Sequence, residues 1–303
     1  MSGTAAPGAI AFAGAQLDRA DPVRNDPARL EALMDWRARL LKLDGLNPAV
    51  TPENTLQWGT LADADPASEL VFLGLLGGKG CFAEVDPKLI GSVAPPGPAL
   101  WRALATLDHD DLAIYGTARS LVDWHARHRF CARCGQPTRL TKGGWQRACA
   151  GCKAEHFPRV DPVTIMLVEH ASDCGAMLLL GRQAMWPKGR YSALAGFMEP
   201  GESIEETVAR EVFEEAGVRV RGVTYVASQP WPFPSQLMIG CHAHADSAEL
   251  TIDANEIEEA RWFSRDEVSE AMAAGARGED GIAFIAPPPH AVAHHLLAWW
   301  LKQ

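Results

Sequence analysis

Two apolar runs, Val163 to Val168 and Met177 to Leu180, flank the turn-forming stretch Ser172-Asp173-Cys174-Gly175, and together they predict a β-hairpin. Val218 to Val226 and Leu237 to Ala243 read as further strands. Between the hairpin and these strands the period changes. At about 100° per residue, Val208, Ala209, Val212, Phe213 and Ala216 share one arc, which predicts a helix over 203–216 with that arc against a sheet. Ser203 can cap its start and Gly217 supplies its stop. Ser264-Arg265-Asp266-Glu267 is a capping box opening another helix, and Ala291 to Leu301, after Pro287-Pro288-Pro289, makes a terminal one. Residues 160–303 thus read as an α/β unit. The first 125 residues mix short apolar stretches with joints such as Gly77-Gly78 and Ala94-Pro95-Pro96-Gly97. There the pattern predicts a helix from about Pro27 to Leu43, with Leu30, Leu33, Met34, Leu40 and Leu41 near one stripe, and a strand over Val71 to Leu76.

A chain of 303 residues exceeds what one compact domain usually needs. Composition divides it into an N-terminal domain, 1–125, of structural or dimer-forming character, a cysteine-bearing region, 126–159, and the α/β unit, 160–303. The net charge of -10 argues against loose, charge-driven binding of nucleic acid or anionic membrane. The cysteine-bearing region departs from that average. Between Arg119 and Arg159 there are nine Lys or Arg against Asp123 and Glu155, a local balance of +7. No apolar run reaches the roughly 18 residues of a membrane span. Met1 to Ala20 has no basic segment before an apolar one, as a signal peptide would. Leu301-Lys302-Gln303 is not a peroxisomal address. Seven cysteines, four of them in two close pairs, suit a reducing compartment, so a cytoplasmic protein is expected.

Those pairs are Cys131-x-x-Cys134 and, fourteen residues on, Cys149-x-x-Cys152. Two thiolates on each of two tight turns can surround one zinc ion tetrahedrally, and four sulfurs leave no open position, so the ion is structural. Phe130, Trp145 and Phe157 lie among the basic residues. The region is either a zinc ribbon that grips nucleic acid by stacking and charge, or a metal-stapled knob that braces domains or a dimer. Cys81, Cys174 and Cys241 read as small apolar residues.

The chemistry concentrates in the helix over 203–216. Glu211, Glu214 and Glu215 stand at i, i+3 and i+4, within roughly 100° of one another, with no Lys or Arg in their arc. Carboxylates so placed repel, and hard divalent cations, magnesium or manganese, relieve the repulsion. Arg210 points away from this arc and can pair with Glu202 or Glu206, tying the helix to the glycine loop before it.

Gly196-x5-Glu202-x7-Arg210-Glu211-Val212-x-Glu214-Glu215-x-Gly217-Val218 matches the full Nudix box without a departure. The resemblance implies the Nudix α/β/α sandwich with a mixed sheet, and hydrolysis of a nucleoside diphosphate linked to another group. It implies two or more catalytic magnesium or manganese ions on Glu211, Glu214 and Glu215, with Glu214 also helping to deprotonate the attacking water. Gly196, Glu202 and Arg210 would support the site.

Downstream, Ser228-Gln229-Pro230-Trp231-Pro232-Phe233-Pro234 is a proline-stiffened aromatic loop. It is similar to the signature of the NADH pyrophosphatase branch of Nudix enzymes, which also carries a four-cysteine ribbon before the Nudix domain. Where that signature continues with any residue and then Ser, this chain has Ser235 and then Gln236. The resemblance implies Gln229, Trp231, Phe233 and Ser235 as substrate contacts, Phe197 and Phe157 as stacking aromatics, and Phe157 as reaching a neighbouring subunit. It further implies Glu256 as a metal ligand outside the box, Ala293 as a backbone contact to substrate, and a homodimer. The implied reaction converts NADH or NAD to nicotinamide mononucleotide and AMP. Removal of an NAD cap from RNA 5′ ends is the alternative with the same chemistry, and a catalytically dead zinc-ribbon nucleotide- or RNA-binding protein is the alternative of another class.

Overall fold

The computed structural model describes residues 10–89, 96–173 and 175–303. Cys174 and residues 94–95 of the proline-glycine joint therefore lie outside the described residues. The described residues form two compact units, one of Phe12–Val160 with Pro230–Ser235, the other of Asp161–Gln229 and Gln236–Gln303 with Ile10 and Ala11.

In the unit that holds Phe12–Val160, the expected helix over Pro27 to Leu43 is two elements. Helix α1, Pro27–Ala32, starts where Asp26 accepts from the backbone N–H of Ala28 and Arg29. The chain then turns on Asp35, which accepts from the Arg37 N–H and Nε, and Arg39–Leu41 becomes strand β1. Such local side-chain bonds compete with helix propagation. The single apolar stripe in the sequence was Leu30 of a helix, Leu33 at its C-cap, and Leu40 and Leu41 of a strand, with Leu30, Leu33 and Leu40 meeting in one core cluster with Phe72.

A four-stranded sheet follows the order β2-β1-β4-β3, where β2 is Trp58–Gly59, β3 Glu69–Leu76 and β4 Lys79–Val85. The strand expected over Val71 to Leu76 is β3. It joins β4 through Gly77-Gly78, with φ of 57° and 75°, the two positive values that a tight twisted hairpin demands. Helix α2, Pro98–Thr106, leads to α3, His109–Arg127, which packs against β3 and β4 and buries Tyr115 and Trp124. The ribbon follows as β5, Thr138–Thr141, β6, Gln146–Cys149, and β7, Glu155–His156.

Arg147 of β6 is fully buried. Its guanidinium donates to both Glu69 carboxylate oxygens at 2.9 and 3.2 Å, to Thr138 Oγ1 and carbonyl, and to His125 Nδ1 at 2.9 Å. His125 Nε2 donates to the Gly144 carbonyl at 2.7 Å, so the neutral ring has both nitrogens satisfied. Burial, reinforced by Arg147, pushes the His125 pKa down to about 4. The unfolded chain takes up this proton near pH 6.5 and the folded one does not, so stability falls as pH drops from about 6.5 towards about 4. Between about pH 7.5 and about pH 5, the wild type is expected to lose about 2 kcal/mol more than His125→Gln in denaturant unfolding. Equal losses in the two proteins would remove His125 as the cause.

The other unit is the α/β sandwich. Strand β8, Asp161–Ser172, pairs antiparallel with β9, Gly175–Arg182, as the expected hairpin, with Val168 opposite Leu179. It pairs antiparallel with β10, Leu194–Phe197, and parallel with β12, Gln236–Ala245. With β11, Val220–Trp231, and β13, Glu259–Ser264, the sheet runs β11-β12-β8-β9-β13 with β10 also on β8. Helix α4, Ile204–Ala216, covers one face: Val208, Val212 and Ala216 pack on Met166, Val168, Cys241 and Ala243. Helices α5, Arg265–Ala276, and α6, Val292–Trp300, cover the other. No helix among the described residues is long and apolar enough to cross a membrane.

Candidate active site

Helix α4 begins and ends as its sequence dictates. Ser203 Oγ accepts from the Glu206 N–H at 3.3 Å while Glu206 accepts from the Ser203 N–H at 2.7 Å, and Gly217 stops the helix at φ 71°. Glu206 is thereby engaged in the cap, and Arg210 pairs with Glu202 alone of the two expected partners, at 2.6 and 2.9 Å. These bonds, with the Glu199 N–H and Thr207 hydroxyl, hold the Glu202 carboxyl down to about 2.

Arg210 does not turn away from the glutamate arc, as its helical angle suggested. Its long side chain carries one guanidinium nitrogen across to Glu211 at 2.8 Å and to Glu214, one turn on, at 2.9 Å. Another nitrogen donates to the Phe197 carbonyl at 2.9 Å. Arg210 therefore ties together the end of β10, the glycine loop and two of the three glutamates. The glycine that opens the motif has a steric reason. A Cβ on Gly196 would lie 1.8 Å from the Glu211 carboxyl carbon and 2.1 Å from each of its oxygens. The carboxylate is laid against bare backbone, where no side chain fits.

Glu256 reaches the same place by a route with no local signature. The Thr251 N–H donates to the Ala216 carbonyl at 2.8 Å and the Asp253 N–H to the Glu215 carbonyl at 3.1 Å, so the 251–253 segment satisfies the last turn of α4. Glu256 and Ile257 both donate back to the Asp253 carbonyl, and Ile257 is anchored in the core under the helix. One carboxylate oxygen from each of Glu211, Glu215 and Glu256 then falls within 4.8 Å of the others. Glu215 is 7% exposed, and its Oε2 is buried with no hydrogen-bond partner among the described residues. Burial first, then the charges of Glu211, Glu256 and Glu214, push its pKa up to about 8. Burial also raises Glu211, against the pull of Arg210. Glu214 lies outside this trio, half exposed beside Arg210. An orphaned oxygen among converging carboxylates is the environment a hard divalent cation completes.

The other residues singled out by sequence fall in different surroundings. Phe197 is 54% exposed at the end of β10, and Ala293 is buried in the first turn of α6. Gln229 is 1% exposed. Its amide donates to the Ala11 and His290 carbonyls and accepts from the Val292 N–H at 2.9 Å, so it clamps the start of α6. This inward role was invisible in a string that read as a surface loop. Trp231 and Phe233 pack with Phe12 and Trp101 in the N-terminal unit, and Phe233 receives the Arg119 guanidinium on its face at 4.8 Å. Ser235 Oγ donates to the Arg159 carbonyl at 2.8 Å, while Gln236 opens β12. Phe157 is 56% exposed.

In the ribbon, Cys131, Cys134, Cys149 and Cys152 converge. Cys131 Sγ lies 3.5 Å from Cys152 Sγ and Cys134 Sγ 3.5 Å from Cys149 Sγ, close to the roughly 3.8 Å between sulfurs of a tetrahedral zinc site. Gly135 and Lys153 take the positive φ values, 73° and 64°, that fold the two turns around the sulfurs. The basic surplus is partly internal. Arg147 is buried, Arg129 pairs with Glu69, Arg127 with Asp123, and Arg119 donates to the Leu46 and Pro232 carbonyls. Trp145 donates to the Phe72 carbonyl at 2.8 Å. Cys81 and Cys241 are buried, with thiols pushed up to about 11 and about 12 by burial, which suits small apolar packing.

Three family models match consecutive stretches: an NADH pyrophosphatase-like rudimentary NUDIX domain over residues 31–124, an NADH pyrophosphatase zinc ribbon domain over 126–157, and a NUDIX domain over 159–280. The NAD-capped RNA hydrolase NUDT12 of Homo sapiens is 46% identical over 69% of this chain and 45% of its own length. The mitochondrial NAD(P)H pyrophosphatase NUDT13 of Mus musculus is 41% identical over 73% of this chain and 62% of its own. This chain thus spans about half the length of the first of these relatives. The NAD-capped RNA hydrolase NudC of Mycobacterium bovis is 42% identical over 85% of this chain and 83% of its own. With the box on α4 and the four-cysteine ribbon before it, these matches show that the chain belongs to the Nudix hydrolases, in their NADH pyrophosphatase branch.

Proposed function

We propose that this chain hydrolyses the pyrophosphate bridge of NADH or NAD to nicotinamide mononucleotide and AMP. The observation that carries the reading is the convergence of Glu211, Glu215 and Glu256, with the buried Glu215 Oε2 unpartnered. Together with Glu214, these residues would hold two or more magnesium or manganese ions, which would neutralise the double anion of the substrate and lower the pKa of a bound water. Water oxygen adds to one phosphorus, the bridging P–O bond breaks, and each product leaves as a phosphate monoester. Glu214, half exposed beside the trio, receives the water's proton. Arg210 is a positioning residue, fixing Glu211 and Glu214 through the loop that carries Glu202. The exposed Phe197 ring stacks on the base or nicotinamide, and Ala293 offers backbone to the substrate. Gln229 supports the site by holding α6 and does not itself touch substrate. Residues 126–159 act as the zinc-stapled module, 160–303 as the hydrolase, and 1–125 as the structural and dimer-forming part of a cytoplasmic homodimer. Light scattering on the purified chain checks the dimer.

Removal of an NAD cap from RNA is the second reading, favoured by the names of the human and mycobacterial relatives. Side-by-side kinetics on NADH, NAD and NAD-capped RNA, with magnesium and with manganese, separates the two. Dinucleotide binding without AMP release would overturn both readings and leave a binding protein.

Gly196→Ala tests the positioning of Glu211. An added methyl group must displace that carboxylate, so NADH turnover is expected to fall at least about 100-fold, with about 1–3 kcal/mol lost in unfolding. Turnover at the wild-type rate would mean that the Gly196 contact does not position a catalytic group.

A further inference from the structure

The face of the large sheet turned away from α4 carries a second cluster of metal-ligating side chains. Alternation along β8 and β12 sends Met166, Val168, Cys241 and Ala243 into the core beneath α4. Glu169, His242 and His244 therefore emerge on the opposite face. The parallel register sets Glu169 directly beside His244, and His242 two residues back on the same strand.

His242 Nε2 lies 3.6 Å from Glu169 Oε2, and His244 Nδ1 lies 3.8 Å from Glu169 Oε1. One donor atom from each residue falls within 4.8 Å of the other two. These separations exceed a hydrogen bond. His242 is 9% exposed, and its Nε2 is buried with no hydrogen-bond partner among the described residues, although the Glu169 carboxylate is near. Trp300 Nε1 donates to Glu169 Oε2 and fixes the carboxylate from α6. The Trp299 ring lies 5.4 Å from the His242 ring, and the two histidine rings stand edge to face at 4.8 Å.

We propose that Glu169, His242 and His244 bind a borderline divalent transition-metal ion of the zinc, cobalt or nickel class, at a site separate from the glutamates of α4. Two imidazoles and one carboxylate are a ligand set for such ions, whereas magnesium prefers oxygen donors. Metal–ligand bonds of about 2.0–2.1 Å at tetrahedral angles place donor atoms about 3.4 Å apart; the two histidine–carboxylate separations, one to each oxygen of Glu169, exceed that by a few tenths of an ångström, and one donor atom from all three residues lies within 4.8 Å of the others. The orphaned His242 nitrogen would gain its partner. The His244 side chain, 44% exposed, leaves an entry path and room for water in the remaining position. Trp300 supplies the outer hydrogen bond that orients a ligating carboxylate.

The test uses the full chain with zinc in its ribbon and excess magnesium present. Cobalt(II) is titrated in and followed by calorimetry and by visible absorption. The expected result is one cobalt ion per chain beyond the ribbon zinc, with ligand-field absorption and no thiolate charge-transfer band. His242→Ala and His244→Ala are each expected to weaken uptake at least about 100-fold, since even outer-shell changes cost about 10–100-fold. Glu169→Gln preserves an acceptor for Trp300 and is expected to weaken uptake likewise, which covers the case in which a histidine variant fails to fold. Absence of cobalt uptake by the wild type, equal uptake in wild type and variants, or a thiolate band showing exchange into the ribbon would each overturn the proposal.

Discussion

Glu215→Gln is expected to lower NADH turnover about 10³-fold or more while leaving the protein folded. The residue sits at the closed end of the acidic trio, 7% exposed, with Glu211 and Glu256 as its near charges. The amide keeps the shape of the side chain but removes the anionic oxygen that a divalent cation would use. Among the described residues no group donates to Glu215 Oε2, so the substitution breaks no hydrogen bond with them there. It also relieves repulsion within the trio, and unfolding free energy should hold or rise by about 1 kcal/mol. The loss should therefore fall on kcat. Glu214→Gln is expected to act in the same direction, by removing the group proposed above as the proton acceptor. Steady-state kinetics beside thermal melts makes the check, and a Glu215→Gln protein turning over near the wild-type rate would dissociate the trio from the reaction.

Cys149→Ser should release the zinc and destabilise the unit that contains the ribbon by at least about 3 kcal/mol. A structural zinc ion contributes about 10 kcal/mol or more to folding of small ribbons, and a serine hydroxyl is a poor replacement for a thiolate. The damage should spread beyond the ribbon. Strand β6 carries both Cys149 and Arg147, and the Arg147 guanidinium is held by Glu69 on β3, while Trp145 donates to Phe72 on the same strand. Metal analysis and thermal unfolding test this together, with Cys81→Ala as the control that retains zinc. Unchanged zinc content and melting temperature in Cys149→Ser would refute the ribbon assignment.

The parts of this fold that were legible in the sequence are those whose signals are local and agree with one another. Helix α4 has a capping box, an apolar arc and a glycine stop, and all three point to the same boundaries. The two cysteine pairs likewise specify their own turns. The helix expected from Pro27 to Leu43 failed because leucines at helical spacing came from a helix and from a strand, separated by the side-chain turn at Asp35. Arg210 was misdirected because an angle on a helical wheel describes where a Cβ points, and a guanidinium reaches well beyond it. The sequence offered Gln229 only as a substrate contact, by resemblance, because the three bonds that bury it, to Ala11, His290 and Val292, join positions far apart in the chain. Glu256 could be placed only by resemblance, since what seats it is the distant end of α4.

That seating has a mechanical consequence. Because the 251–253 backbone closes the last turn of α4 and Glu256 hangs from Asp253, unwinding of that helix end is expected to draw Glu256 away with it. A lengthened or shortened link between Asp253 and Ile257 would disturb both, so this surface stretch should resist insertions that neighbouring exposed turns accept.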